Sequence, residues 1–469
     1  MALKTWITGC VAVSVAAAAL AGCGRVADPA ATTGELRQAS FRTASVGKDF
    51  LWGVSTAGYQ WEGQDNVSQW AAWDKAGKTE ERNPRGANGL EMYPEDAKLT
   101  AGLGANAFRT SIEWARIEPE EGKIDPAAVA HYHRLLDTLR GNGLQPVITL
   151  MHFSYPAWLD ADGGWENPKV IERFKRHAAF IAKEYGDKID LYMTYNEPNV
   201  FLLGGWAAGM TPPGKKNPIA GLRAMKHMIT AHGEAYDAIH ANDAQAKVSF
   251  NMYTAEFAFG GFGARNAMTA QEMAAERISS DDAFMEEIMS QRGGGKLDYA
   301  ALDYYCKFRV KVPFSFPRPD TWEVYPEGLY KQLKKYHQKY KLPVLIAENG
   351  MATHDLQPRQ DRWTRSAYTV AHIKQIQRAI ADGIPVMGYI HWSITDNYEW
   401  GSFSPRFGLF TVDSRNGDFR RRKAEGADAF QAIIAAGGVT KALEQRYPAP
   451  GLPAPWLGGG TGTPVGIYR

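Results

Sequence analysis

Eight short apolar runs alternating with helix-period segments point to one α/β domain folded as a (β/α)8 TIM barrel. Two further observations agree. The chain has 469 residues, 45% of them hydrophobic, which suits one large barrel with a sizeable core. Two of the runs end on a glutamate, and in a parallel barrel such strand ends converge on one rim.

At the N-terminus, Lys4 and the apolar stretch 6–20 form a targeting segment too brief for a comfortable membrane span. Leu20-Ala21-Gly22-Cys23 resembles the bacterial lipobox, in which the cysteine is acylated. An ordinary signal peptide cut after a small residue is the alternative. Residues 1–22 therefore read as a lipoprotein-type signal peptide, with Cys23 as the lipidation site. Residues 23–46, polar and with Ala, Thr and Ser, read as a flexible tether. The expectation is export to the cell envelope with a membrane contact through the N-terminal lipid only; a soluble periplasmic or secreted form is the alternative.

The barrel is expected over 47–446. Its strand-like runs are 50–54, 106–112, 146–151, 191–195, 248–252, 300–305, 344–347 and 386–391. Three helices between them are clearly bounded. Asn167-Pro168 opens one with Ile171, Phe174, Ala178, Ile181 and Tyr185 on one face, closed by Gly186. Pro326 starts another, with Leu329, Leu333, Tyr336 and Tyr340 in register. A third carries Ile373, Ile376 and Ile380 and ends at Asp382-Gly383. An open doubly wound sheet is the competing architecture. It brings a Gly-rich phosphate turn after its first strand, and Trp52-Gly53-Val54-Ser55-Thr56-Ala57-Gly58 matches that turn poorly. Residues 447–469 contain Pro448, Pro450, Pro453 and Pro455, then Gly458-Gly459-Gly460, and read as a tail that wraps the barrel or frays.

Composition removes several function classes. Lys+Arg of 53 against Asp+Glu of 51, a net charge of +2, gives no electrostatic case for a nucleic-acid partner. Cys10, Cys23 and Cys306 build no disulfide framework, and Cys306, alone in the folded part, reads as a small core or near-core residue. No metal-ligand cluster or phosphate loop appears, so no metal and no cofactor are implied. The aromatic fraction of 12%, with 14 Trp, suits cores and sugar C–H surfaces alike.

Glu197 follows the run 191–195 and Glu348 follows 344–347. A charge at the end of a buried strand is costly unless it has a partner or a task. The two lie roughly three βα units apart, which sets them across a barrel mouth. Such a pair suits glycoside hydrolysis, one carboxyl as acid/base and the other as nucleophile; in retaining enzymes they stand about 5–5.5 Å apart. Pro198 biases Glu197 toward an extended backbone, aiming its carboxyl off the strand end. Arg109 ends the second strand, where a guanidinium can hold a carboxylate ionised.

Further motifs follow in order. They are Phe50-Leu51-Trp52-Gly53, Tyr59-Gln60-Trp61-Glu62-Gly63, Asn106 to Trp114 with Arg109, Gly163-Gly164-Trp165 and Thr194-Tyr195-Asn196-Glu197-Pro198. Tyr325-Pro326-Glu327-Gly328-Leu329-Tyr330, Glu348-Asn349-Gly350 and Asp396-Asn397-Tyr398-Glu399-Trp400 complete them. In combination the chain resembles glycoside hydrolase family 1, the β-glucosidase family, over about 50–423. The resemblance implies Glu197 as acid/base and Glu348 as nucleophile. It implies Arg109 and Tyr305 as nucleophile support, and Asn196 as a ligand for the sugar 2-hydroxyl. Gln60, His152, Glu399 and Trp400 would bind the sugar, with Trp392 as a platform under the ring. The expected substrate is a β-glycoside or oligosaccharide, cleaved from its terminal non-reducing β-D-glucosyl or related residue. Glu399 would repel a 6-phosphate, which implies a non-phosphorylated sugar. A transglycosidase using the same carboxylates, and a catalytically silent sugar-binding lipoprotein, are the alternatives.

The chain also departs from that family's pattern. Phe153 and Ser154 follow His152 where Trp and Asp are usual, and Asp303 stands where Asn is usual. The loop between Trp400 and Arg406 is one residue shorter, and 257–292 lacks the usual aromatic signature. Residues two apart on a strand share a face, so Asp303 should share the barrel interior with Tyr305.

Overall fold

The apolar runs pair in chain order and close on themselves. A computed structural model describes residues 47–259, 270–290, 295–310 and 317–451. Its barrel strands are β1 (Leu51–Ser55), β2 (Ala107–Ser111), β3 (Gln145–Met151), β4 (Leu191–Asn196), β5 (Lys247–Phe259), β6 (Ala300–Val310), β7 (Val344–Asn349) and β8 (Val386–Trp392). All neighbours are parallel, and β8 returns to β1 with Leu51 opposite Gly388 and Ser55 opposite Trp392. The signal peptide, Cys23, the tether and residues 452–469 of the tail lie outside the described residues. Among the described residues no helix is long and apolar enough to cross a membrane.

β5 and β6 run furthest past their expected limits. β5 and β6 stay paired as far as Phe259 opposite Val310, so a two-stranded ribbon rises from the rim. The expected limits followed the apolar runs. Polar residues such as Glu256 and Lys307 pair within the ribbon, where a barrel core no longer requires apolar side chains.

Helices α1 (Gly89–Gly102), α2 (Pro126–Gly141), α3 (Lys169–Tyr185), α4 (Pro218–Asn242), α5 (Ala270–Ser279), α6 (Asp281–Met289), α7 (Pro326–Tyr340), α8 (Arg365–Ala381) and α9 (Ala427–Ala436) accompany the strands. On α3 the predicted stripe is buried at Phe174, Ala178, Ile181 and Tyr185 and partly buried at Ile171, with Pro168 before the first turn and Gly186 after the last. Burying each large side chain of such a stripe contributes about 1.5–3 kcal/mol. On α7, Leu329, Leu333, Tyr336 and Tyr340 are likewise buried, and Lys341 in the left-handed conformation ends the helix. Thr364 caps α8 by accepting from the Ala367 N–H, and Asp382 terminates it.

The core has two layers. Leu51, Ala107, Val147, Leu191, Met193, Ala301, Leu345, Ala347 and Ile390 fill the barrel interior. Phe108, Ile148, Tyr192, Leu302 and Ile346 belong to the larger cluster between barrel and helices. This alternation breaks where the site begins. In β4 the register with β5 shifts between Met193 and Asn196. Tyr195 therefore faces outward and donates from its hydroxyl to the Met228 carbonyl of α4 at 3.0 Å, which leaves Asn196 facing inward. In β7 the register with β8 shifts between Ile346 and Asn349, so Glu348 turns inward just after inward-facing Ala347. Such irregularities re-aim single side chains at a barrel rim.

Candidate active site

Arg109 organises the mouth of the barrel. It is the third residue of β2 rather than its end, a correction to the sequence reading. Its side chain, fully buried, spans the remaining height of the barrel. Nη1 donates to Glu348 Oε1, and Nη2 donates to Asn196 Oδ1 at 2.6 Å and to Asn251 Oδ1 at 3.1 Å. The Tyr305 hydroxyl donates to the other carboxylate oxygen of Glu348 at 2.5 Å. Carboxyl oxygens of Glu197, Asp303 and Glu348 all lie within 4.8 Å of one another.

Glu197 reaches this cluster by an unexpected backbone. It is left-handed, with φ 39° and ψ 60°, not extended as Pro198 suggested. The strand must turn at once into the short helix Pro198–Leu202, and a left-handed residue makes that turn while staying clear of the proline ring. The conformation costs a non-glycine residue on the order of 1 kcal/mol. Flanking hydrogen bonds hold it: Glu197 N–H donates to the Asn251 carbonyl at 2.9 Å, and Phe201 N–H donates to the Glu197 carbonyl at 3.0 Å.

The two glutamates differ electrostatically. Burial pushes Glu348 up, while the Arg109 charge and the Tyr305 hydroxyl pull it back toward the ionised form. Glu197 forms no ion pair among the described residues. Burial first, then the charge of Glu348, push it well above the usual carboxylate range. Asp303 is pushed well above its range by burial and by both glutamates. Glu348 thus has a guanidinium and a phenol that favour its anion, and Glu197 beside it has no ion pair among the described residues, the asymmetry that a retaining double displacement uses.

Above this floor lies a second group. Gln60, on the short helix Gly58–Trp61, donates from Nε2 to Asn397 Oδ1 at 3.1 Å and Glu399 Oε2 at 3.3 Å. Its Oε1 is buried without a partner in the protein. Trp392 Nε1 donates to Glu399 Oε1 at 3.2 Å. His152 stacks between Trp392 and Trp400, with ring centroids 5.8 and 5.9 Å away. Burial and the Arg109 charge keep His152 well below its ordinary pKa, hence neutral. Burial pushes Glu399 up to about 8. The substituted Phe153 is left-handed at φ 62° and stacks against Phe201 at 6.3 Å.

All the expected site residues of the folded part therefore meet at one rim; Cys23 lies outside the described residues. Asn251 was not singled out from the sequence. It donates to Asn196 Oδ1 at 2.7 Å and also to Asp303 Oδ2. The available signal was an amide within the otherwise apolar run 248–252. Asp303 and Tyr305 do share the interior face of β6, between outward Leu302 and Tyr304.

The chain matches the family model "Glycosyl hydrolase family 1" over residues 42–291 and 307–439. It is 30% identical to β-glucosidase A of Thermotoga maritima over 419 residues, 78% of this chain and 92% of the relative. It is 28% identical to a β-galactosidase of Pyrococcus woesei over 510 aligned residues, 85% of this chain and 98% of that one. Among solved structures, a β-glycosidase from Pyrococcus horikoshii superposes with a TM-score of 0.74 at 29% identity, covering 87% of this chain and 99% of the other.

Proposed function

This chain belongs to glycosyl hydrolase family 1 and is a retaining β-glycosidase; we propose that it is exo-acting and releases terminal non-reducing β-D-glucosyl residues from non-phosphorylated glycosides. The carrying observation is the asymmetry of the two glutamates. Glu348 is bonded to Arg109 and Tyr305, and Glu197 forms no ion pair among the described residues and has a raised pKa.

On this reading the Glu348 carboxylate attacks the anomeric carbon while Glu197 gives its proton to the departing glycosidic oxygen. The C–O bond to the aglycone breaks, and the sugar is left as an ester of Glu348. Glu197, now a carboxylate, takes a proton from water. That water oxygen attacks the anomeric carbon from the aglycone face and frees Glu348. Two inversions give retention. The free amide N–H of Asn196 would bind the 2-hydroxyl. Gln60 and Glu399 would hold the far hydroxyls, with Trp392 under the ring. The Glu399 carboxyl disfavours a 6-phosphate there.

The names of the relatives, a β-glucosidase and a β-galactosidase, support a hexopyranoside glycone. A panel of nitrophenyl β-glycosides tests the reading, with the glucoside expected to turn over fastest and with retained configuration. Preference for a 6-phosphorylated sugar, or an inverted product, would overturn it. Including an alcohol acceptor separates hydrolysis from transfer.

The lipobox-like Leu20-Ala21-Gly22-Cys23 supports a second proposal, that the enzyme is exported and lipid-anchored at Cys23. Wild-type protein should partition with membranes, and Cys23→Ser should release it or block processing. A mature N-terminus beyond residue 23 in wild type would count against acylation.

A further inference from the structure

We propose that Asp303 and Glu197 form a hydrogen-bonded carboxyl pair that shares protons, and that Asp303 is a positioning residue which keeps Glu197 protonated to higher pH. The proposal rests on reading Glu197 as the acid/base.

Geometry carries it. Asp303 is fully buried on the interior face of β6, and Glu197 beside it is 7% exposed. Asp303 Oδ2 accepts from Asn251 Nδ2. Its Oδ1 is buried with no donor from any neutral or cationic group. Besides Asn251, Asp303 faces Glu197, another carboxyl, with an oxygen of each within 4.8 Å of the other. Two bare carboxylates in buried contact repel strongly, and one proton between them turns the repulsion into a charge-assisted hydrogen bond.

Among the described residues Arg109 is the cation that acts on Asp303, and Asp303 forms no ion pair with it. Arg109 faces the pair from β2 and its charge draws the Asp303 pKa down, but its Nη donors go to Glu348, Asn196 and Asn251 and its Nε meets no acceptor. From β5 come Asn251 and the Tyr253 hydroxyl, which is turned toward Cys306. Tyr305 of β6 donates to Glu348 of β7. Glu399, beyond β8, adds further negative potential when ionised. His152, near Arg109, stays neutral.

The pair therefore titrates in two steps. The first loss leaves one proton between a Glu197 oxygen and an Asp303 oxygen. The second would leave three carboxylates around one guanidinium, so that proton is retained into the alkaline range. When Glu197 gives the shared proton to a leaving oxygen, both carboxyls of the pair are left ionised, and the loss of charge on Glu348 as it becomes an ester offsets their repulsion. Water later restores the proton to Glu197, and no proton is consumed overall.

Asp303→Asn keeps the side-chain shape and an acceptor for Asn251 but removes the second ionisable group. Its kcat/KM profile on a nitrophenyl β-glycoside should lose its alkaline limb about one pH unit lower than wild type, the coupling at which two sites titrate as one. Asp303→Glu should move the limb back toward wild type. Independently of activity, infrared spectra should show a protonated-carboxyl absorption that persists into the alkaline range in wild type and disappears earlier in Asp303→Asn. Superimposable pH profiles would overturn the positioning role, and an unchanged carboxyl absorption would overturn the pair. A wild type that cleaves no glycoside would instead overturn the proposed function, and the infrared comparison would then decide the pair alone.

Discussion

Arg109 makes the site a connected unit. One guanidinium bonds Glu348, Asn196 and Asn251, residues from three other strands. Removing one partner of such a buried ion pair strands the other charge, at about 3–5 kcal/mol. Glu348 is best probed by deletion that leaves Arg109 solvated. On the proposed assignment, Glu348→Gly should lower hydrolysis by at least about a thousandfold. Azide or formate, entering the vacated space, should restore part of the rate and give a product of inverted configuration. Undiminished hydrolysis in the variant would rule out Glu348 as the nucleophile. The sequence singled out Glu197, Glu348 and Arg109 because charge at the end of an apolar run is conspicuous. Asn251 escaped notice because a lone amide in a strand has many ordinary explanations.

At the level of elements, the strand ends do the aiming. Gly350 follows β7 directly, and a Cβ there would clash with the Trp392 carbonyl oxygen. Backbone sits on both sides of this contact, so no side chain can swing away. Gly350→Ala should therefore push the ends of β7 and β8 apart, costing about 1–3 kcal/mol of stability. Because Glu348 and Trp392 flank the contact, kcat should fall as well. Thermal melting and steady-state kinetics check both; wild-type values in both would show that the close approach is not rigid. Helix limits were legible from Pro, Gly and apolar periodicity, as α3 illustrates with Phe174, Ala178 and Ile181. The left-handed Glu197 was not, because the proline rule speaks only of local sterics and the turn is imposed by the helix that follows.

The whole molecule carries opposing pH dependences. Burial pushes His177, His372 and His391 down to about 3 and His232 to about 4. An unfolded histidine titrates near about 6.5. Below that value the unfolded chain binds protons that the folded one refuses. Stability is thus fully present above about 6.5 and is lost as pH falls toward the folded values, by up to about 1.4 kcal/mol per pH unit for each histidine. Burial, with the Glu62 charge, pushes Glu113 up to about 8, so its contribution runs the other way. It is present below the unfolded value of about 4.3 and is lost as pH rises toward 8. Melting temperature should therefore peak near neutrality and fall more steeply on the acid side. Glu113→Gln should flatten the decline between about 6.5, where the histidines stop contributing, and about 8, and a Tm series over pH that is level below neutrality would contradict the histidine account.

Local patterns alone determined the eightfold alternation, the helix faces and the two glutamates, because periodicity and capping are written within a few residues of where they act. The tertiary structure decided what lies across strands. The register shifts that turn Asn196 and Glu348 inward depend on pairing with β5 and β8, more than 35 residues away in each case. The approach of Asp303 to Glu197, within 4.8 Å, joins residues of β6 and the end of β4, strands that the sheet sets on either side of β5. Hydrogen-bond register is a property of two strands at once, and no window on one of them contains it.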